Sequence, residues 1–129
     1  MNGYLLDTNA VLLALADPAR LGPAARDAIL DGPNVLSSVV YWEVVLKSMK
    51  GFLQVGDPRA WWRDALGQLA ATALPLRAEH VAGLWQLPPI HRDPFDRILI
   101  AQATVEEMAL VTTDGEIPKY ASDSFRVIQ

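Results

Sequence analysis

The chain contains no cysteine. That excludes a disulfide framework, a thiol nucleophile and a Cys-ligated zinc site, and it fits a reducing compartment. Histidine is scarce: His80 and His91 stand far apart and fit no zinc spacing. The glycines form no phosphate-cradling loop. No stretch approaches the roughly 20 apolar residues that a membrane helix needs. The opening residues, Met1-Asn2-Gly3-Tyr4-Leu5-Leu6-Asp7, lack the basic start and long apolar region of a signal peptide. Repeats, low-complexity tracts and linkers are also missing. These absences lead to the expectation of a soluble, cytoplasmic protein that does not engage a membrane.

What is present suits one compact domain spanning residues 1–129. Half of the residues are hydrophobic (51%), enough for a sizeable core. Lys and Arg number 11 against 15 Asp and Glu, a net charge of −4. A dedicated nucleic-acid binder usually presents a basic surface, so the balance argues against one. The objection weakens if several of the acids hold cations.

Short apolar runs alternate with helical segments. Strands are expected over 3–7, 35–38, 73–76, 110–113 and 125–128. Helices are expected over 8–16, 24–30, 40–49, 60–71, 78–84 and 95–108. Pro23, Asp57-Pro58 and Asp93-Pro94 mark starts; Asp17-Pro18, Asp31-Gly32-Pro33 and Gly51 mark stops. Such alternation predicts an α/β fold with a mainly parallel central sheet. Sites in such sheets form beyond the carboxyl ends of strands.

Four acids stand where this fold could gather them. Asp7 ends the first strand and Asp114 ends Leu110-Val111-Thr112-Thr113. Asp96 opens a helix, and Glu43 lies inside the otherwise apolar Val39-Val40-Tyr41-Trp42-Glu43-Val44-Val45-Leu46. A carboxylate among apolar residues is costly unless paired or metal-bound. Four that converge would repel one another and favour a divalent cation. An all-oxygen pocket holding Mg²⁺ or Mn²⁺ is a common device for cutting phosphodiesters.

Each acid also has a plain structural role open to it. Asp7 suits the cap of the helix at Thr8, and Asp93 before Pro94 is a strong N-cap. Asp96 then sits in a first turn, where the helix dipole welcomes an acid. Glu43 has Lys47 one turn on, and Asp114-Gly115 is a good turn. The functional case rests on the set. Lys47, Lys50, Arg92 and Arg97 flank the acids and could meet phosphates, though Lys47 and Lys50 equally suit a solvated helix face. His80 is expected on a helix surface. His91 fits loop packing or a substrate contact. The four tryptophans are expected mostly in the core or an interface.

Leu5-Leu6-Asp7-Thr8-Asn9, Ser38-Val39-Val40-Tyr41-Trp42-Glu43, the stretch from His91 through Asp93-Pro94-Phe95-Asp96-Arg97 to Ala103, and Leu110-Val111-Thr112-Thr113-Asp114 together resemble the PIN-domain ribonucleases. They are most similar to the VapC-type toxins of bacterial toxin–antitoxin pairs. The resemblance runs in order over nearly the whole chain. The segment from Asp93 to Ala103 is its most specific part, and Gly115–Tyr120 departs from the family's short apolar or aromatic run.

The resemblance implies a three-layer α/β/α fold and an Mg²⁺- or Mn²⁺-dependent endoribonuclease. Asp7, Glu43, Asp96 and Asp114 match the family's acids. Asp93 matches an accessory acid, and Thr8 and Thr112 match its small hydroxyl positions. On this pattern Asp7, Asp96 and Asp114 hold the metal while Glu43 orients or deprotonates the attacking water, and Lys47, Arg92 or Arg97 positions RNA. Hydrolysis would leave a 5′-phosphate and a 3′-hydroxyl. The resemblance further implies a homodimer and a cognate VapB-type antitoxin.

Other classes fit less well. A haloacid-dehalogenase-like phosphatase wants Asp-x-Asp after the first strand, and here the residues are Asp7-Thr8-Asn9. A receiver domain needs an acid pair at the first strand and a phosphorylatable Asp at the third. A PIN-like module that only binds RNA or protein has no need of all four acids.

Overall fold

A computed structural model describes residues 3–90 and 93–129. His91 and Arg92, both singled out above, lie outside the described residues. Five strands, β1 (Tyr4–Leu6), β2 (Asn34–Ser37), β3 (Thr72–Leu74), β4 (Ala109–Val111) and β5 (Val127–Ile128), form one sheet in the order β3-β2-β1-β4-β5. Every pairing is parallel. Six α-helices connect and cover them: α1 (Thr8–Ala16), α2 (Pro23–Asp31), α3 (Ser38–Met49), α4 (Pro58–Gln68), α5 (Ala78–Gly83) and α6 (Pro94–Val105). The architecture is a three-layer α/β/α sandwich.

Parallel strands are buried on both faces, so they are apolar throughout rather than alternating. Here β2 and β4 have no exposed residue. Leu5, Leu6, Leu36, Leu99, Ile100 and Leu110 are completely buried and form the heart of the core. The helix starts follow capping chemistry. Asp7 caps α1 through Ala10 N–H, Ser37 caps α3 through Val39 N–H, and Asp57 caps α4 through Arg59 N–H. Asp93 caps α6, with Pro94 in its first turn.

Before β1 the chain passes close to Pro33. Gly3 has φ +105°, and a Cβ there would stand 2.6 Å from the Pro33 carbonyl oxygen. Only glycine fits, and Tyr4 N–H then donates to that oxygen at 2.9 Å.

Two helices end earlier than the sequence pattern predicts. α4 stops at Gln68, and α6 stops at Val105 rather than Met108. Ala70 (φ 48°) and Glu107 (φ 56°) take left-handed backbone. Ala71 N–H then bonds Leu66 O, and Met108 N–H bonds Ala103 O, closing each helix in the Schellman manner.

Candidate active site

β1, β2 and β3 step away to one side of the sheet, and β4 and β5 to the other. The chain therefore changes direction between β1 and β4. The crevice beyond the carboxyl ends of such a pair is where open α/β sheets place their sites. The register Leu6↔Val111 makes Asp7 and Thr112 neighbours as they leave the sheet. Asp7 N–H donates to Val111 O at 3.0 Å, which anchors the junction.

Asp7 is 4% exposed. Its Oδ1 accepts Ala10 N–H at 2.8 Å, and its Oδ2 accepts the Thr112 hydroxyl. Thr112 Oγ1 in turn accepts Asp114 N–H at 2.9 Å, and Asp114 Oδ1 accepts Glu116 N–H at 2.8 Å. Thr112 thus ties the end of β1 to the loop that carries Asp114.

β2 runs into α3 with no intervening loop. Glu43, a turn and a half into α3, is buried. Its Oε1 accepts the Thr8 hydroxyl, and Lys47 Nζ lies 3.1 Å from its Oε2. α6 starts at the same rim. Asp93 Oδ1 accepts Phe95 N–H at 2.9 Å, and Asp96 occupies the first turn.

These four segments enclose a cavity of about 90 Å³ lined by Asp7, Thr8, Asn9, Glu43, Lys47, Asp93, Asp96 and Asp114. All four acids singled out in the sequence line it, with Asp93 and Thr8, and Thr112 braces Asp7 from behind. Asn9, not singled out above as a site residue, lines it too; its position two residues past Asp7 was the available signal.

Burial pushes the Asp7 carboxyl from its ordinary 3.8 up to about 6. The Thr112 hydroxyl and Ala10 N–H pull it down, while the charges of Asp114 and Glu43 push it further up. A buried carboxylate with further acids beside it is suited to a cation, which offsets both the burial and the neighbouring charge. Among the described lining residues the donors are oxygen atoms, with no sulfur and no imidazole, which suits hard ions such as Mg²⁺ or Mn²⁺. Asp7, Glu43, Asp93, Asp96 and Asp114 all bring carboxylates to the cavity.

Arg97 does not line the cavity. Its guanidinium donates to Pro88 O at 2.9 Å and to the Tyr120 hydroxyl at 3.1 Å. Lys50 lines an adjoining groove. A larger depression among the described residues, about 630 Å³, is mostly apolar and has no acid in its lining.

His80 departs from expectation. It is completely buried rather than on a helix surface. Its Nδ1 accepts Arg77 N–H at 2.9 Å and lies 3.3 Å from Gln102 Nε2, while its Nε2 lies 2.8 Å from Glu106 Oε2. Burial is tolerated because these bonds replace water. Glu79, His80 and Glu106 are the one group of three ligating side chains, among the described residues, whose donor atoms lie within 4.8 Å of one another. The bonds nevertheless argue against a metal there. An Nδ1 that accepts an amide hydrogen leaves the proton on Nε2, where it serves Glu106, and Arg77 adds its charge at 3.6 Å. The group clamps α5 to α6. Of the tryptophans, Trp61 and Trp62 are half-buried against the core, whereas Trp42 (54%) and Trp85 (93%) stand exposed, outside it.

The PIN domain family model matches residues 4–123. The chain belongs to the PIN domain family. No curated protein matches it significantly. Among solved structures, this PIN domain is similar to the VapBC2 complex of Rickettsia felis bound to a DNA fragment from its promoter, with TM-score 0.68 and 14% identity over 98% of each chain. It is also similar to FitAcB of Neisseria gonorrhoeae, with TM-score 0.61 and 22% identity over 98% of this chain and 96% of that one. VapBC-5 of Mycobacterium tuberculosis, a member of the VapBC family of toxin–antitoxin systems, matches with TM-score 0.61 and 21% identity over 97% and 96%. At such identities the likeness is one of fold. No helix among the described residues is long and apolar enough to cross a membrane.

Proposed function

We propose that this PIN domain is a metal-dependent endoribonuclease and the toxin of a toxin–antitoxin pair, acting in the cytoplasm. The observation that carries the reading is the convergence of Asp7, Glu43, Asp96 and Asp114, from four separate segments, on one cavity at the switch point of the sheet. Asp7, Asp96 and Asp114 would hold Mg²⁺ or Mn²⁺. When bound, such an ion lowers the pKa of a coordinated water and neutralises charge on the scissile phosphate.

The chain's own groups do the rest. Thr112 aims Asp7 and sets the loop of Asp114. Thr8 and Lys47 fix the two oxygens of Glu43, which orients or deprotonates the attacking water. Asp93 holds the first turn of α6 so that Asp96 faces the cavity. Hydrolysis by attack of water leaves a 5′-phosphate and a 3′-hydroxyl. Lys47 is well placed to meet the RNA backbone once phosphate competes for its ammonium; Arg92 and Arg97 are further candidates for that role.

Solved VapBC toxin–antitoxin complexes of the same fold support a VapB-type antitoxin as partner, and we extend the reading to a homodimer. The test is cleavage of a mixed RNA pool by the purified protein with Mg²⁺ or Mn²⁺, against EDTA and against Asp7→Asn. Metal-dependent cutting that Asp7→Asn loses is the expected result. Full activity in a folded Asp7→Asn protein would overturn the assignment. A folded protein that neither cuts RNA nor binds metal would instead be a PIN-like interaction module.

A further inference from the structure

Two threonine hydroxyls tie acids of the cavity to their surroundings. Thr8 joins the start of α1 to Glu43, and Thr112 joins Asp7 to the loop of Asp114. A third hydroxyl, on Tyr120, makes a corresponding tie for α6. Tyr120 closes the 3₁₀ turn Ile117–Tyr120, six residues past Asp114, and is 6% exposed. Its ring packs in the core, a task that phenylalanine could perform. Its oxygen accepts Ile90 N–H at 3.1 Å and the Arg97 guanidinium at 3.1 Å. The same guanidinium nitrogen donates to Pro88 O at 2.9 Å.

Both partners of the hydroxyl lead to acids. Arg97 directly follows Asp96 in α6, and its N–H donates to Asp93 O at 3.1 Å. Ile90 stands three residues before Asp93 in the chain. One oxygen thus joins the segment that follows Asp114 to the residues on either side of Asp93 and Asp96. Carboxylates brought to one cavity repel. The repulsion drives their segments apart unless other bonds hold them. A strut that acts before a cation arrives lowers the cost of gathering the ligands.

We infer, resting on the nuclease reading above, that Tyr120 is a positioning residue of the cation site. Its hydroxyl holds Asp114 and the acids of α6 at the separation that one divalent cation needs, and it acts through those acids rather than on the cation itself.

The test is Tyr120→Phe in the full-length protein, which removes one oxygen and keeps the ring. Mn²⁺ affinity is read, with no RNA present, from the loss of the free ion's electron paramagnetic resonance signal. The Kd should rise about tenfold, the low end for groups that orient metal ligands. At limiting Mn²⁺, cleavage should fall by a similar factor. Saturating Mn²⁺ should restore kcat, and KM for RNA should not change.

A Tyr120→Phe protein that unfolds at a lower temperature in EDTA but binds Mn²⁺ as tightly as wild type would overturn the proposal, because the hydroxyl would then serve the fold alone. A loss of kcat that persists at saturating Mn²⁺ would overturn it too, by placing Tyr120 in the reaction itself. The nuclease reading fails separately, in the unaltered protein. Wild type that binds Mn²⁺ yet cuts no RNA sinks that reading and leaves the Mn²⁺ affinities to decide on Tyr120; wild type that binds no Mn²⁺ sinks both.

Discussion

Thr112 is completely buried, and its hydroxyl is shared between two acids: it donates to Asp7 and accepts Asp114 N–H. Thr112→Val keeps the shape and removes both bonds. A buried donor or acceptor left unpaired costs about 1–3 kcal/mol, so urea denaturation should show a loss of that order. Cleavage should fall about 10- to 100-fold, as when a partner that orients a metal-ligating carboxylate is removed; unchanged cleavage would mean that Asp7 needs no such brace. Asp7 itself should trade stability for function. Its folded pKa, about 6, lies above its ordinary 3.8, so the folded state holds the extra proton. The stability that this proton contributes is complete below about pH 3.8 and is lost as pH rises through about 6. In EDTA at pH 7 the native protein therefore carries an ionised carboxylate that burial disfavours by up to about 3 kcal/mol. Asp7→Asn should be inactive yet more stable than wild type at pH 7, with the advantage shrinking toward pH 4. Chemical denaturation across that range measures it. An Asp7→Asn protein less stable at pH 7 than at pH 4, relative to wild type, would reverse the sign and refute the buried charge.

At the scale of elements, most boundaries were legible because they rest on local chemistry. Asp-Pro pairs start α4 and α6, and the 8–16 helix is found as expected from Asp7 to Asp17-Pro18. The ends of α4 and α6 were not legible. Both close through a left-handed residue, a position where glycine is the usual signal, and the chain has Ala70 and Glu107 there. A side chain in that conformation is disfavoured by about 1 kcal/mol relative to glycine. Ala70→Gly should therefore raise stability by up to about 1 kcal/mol, read as a shift of the urea midpoint with unchanged slope. A destabilised Ala70→Gly would mean that the unfolded chain's added freedom outweighs the relieved strain. His80 escaped the sequence for a different reason. A lone histidine in a short helix looks solvated, and the partners that bury it, Gln102 of α6 and Glu106 just past its end, lie more than twenty residues away. Trp42 and Trp85 show the converse: hydrophobicity alone does not say which large side chains the fold leaves outside.

Across the whole molecule, strand alternation foretold a parallel sheet, but the strand order that creates the switch point depends on pairings no local pattern encodes. The acids at the ends of β1 and β4 were visible one by one; that they share a cavity with residues of α3 and α6 is a property of the sheet order. Two groups carry enough ligating side chains to compare as cation sites, the acidic cavity and the cluster of Glu79, His80 and Glu106, whose own hydrogen bonds argue against one. Global stability separates them, because a ligand that binds only the folded state stabilises it by mass action, about 2.7 kcal/mol at a hundred times Kd. Mn²⁺ should therefore raise the unfolding temperature of wild type in proportion to the logarithm of its concentration. Asp7→Asn and Asp114→Asn should lose most of that rise. Glu106→Ala should lower stability in EDTA, since it leaves His80 Nε2 buried without an acceptor, but should retain the full increment with Mn²⁺. If Glu106→Ala abolished the increment and Asp7→Asn kept it, the metal would belong to the α5–α6 clamp, and the acidic cavity would have to work without a cation of its own.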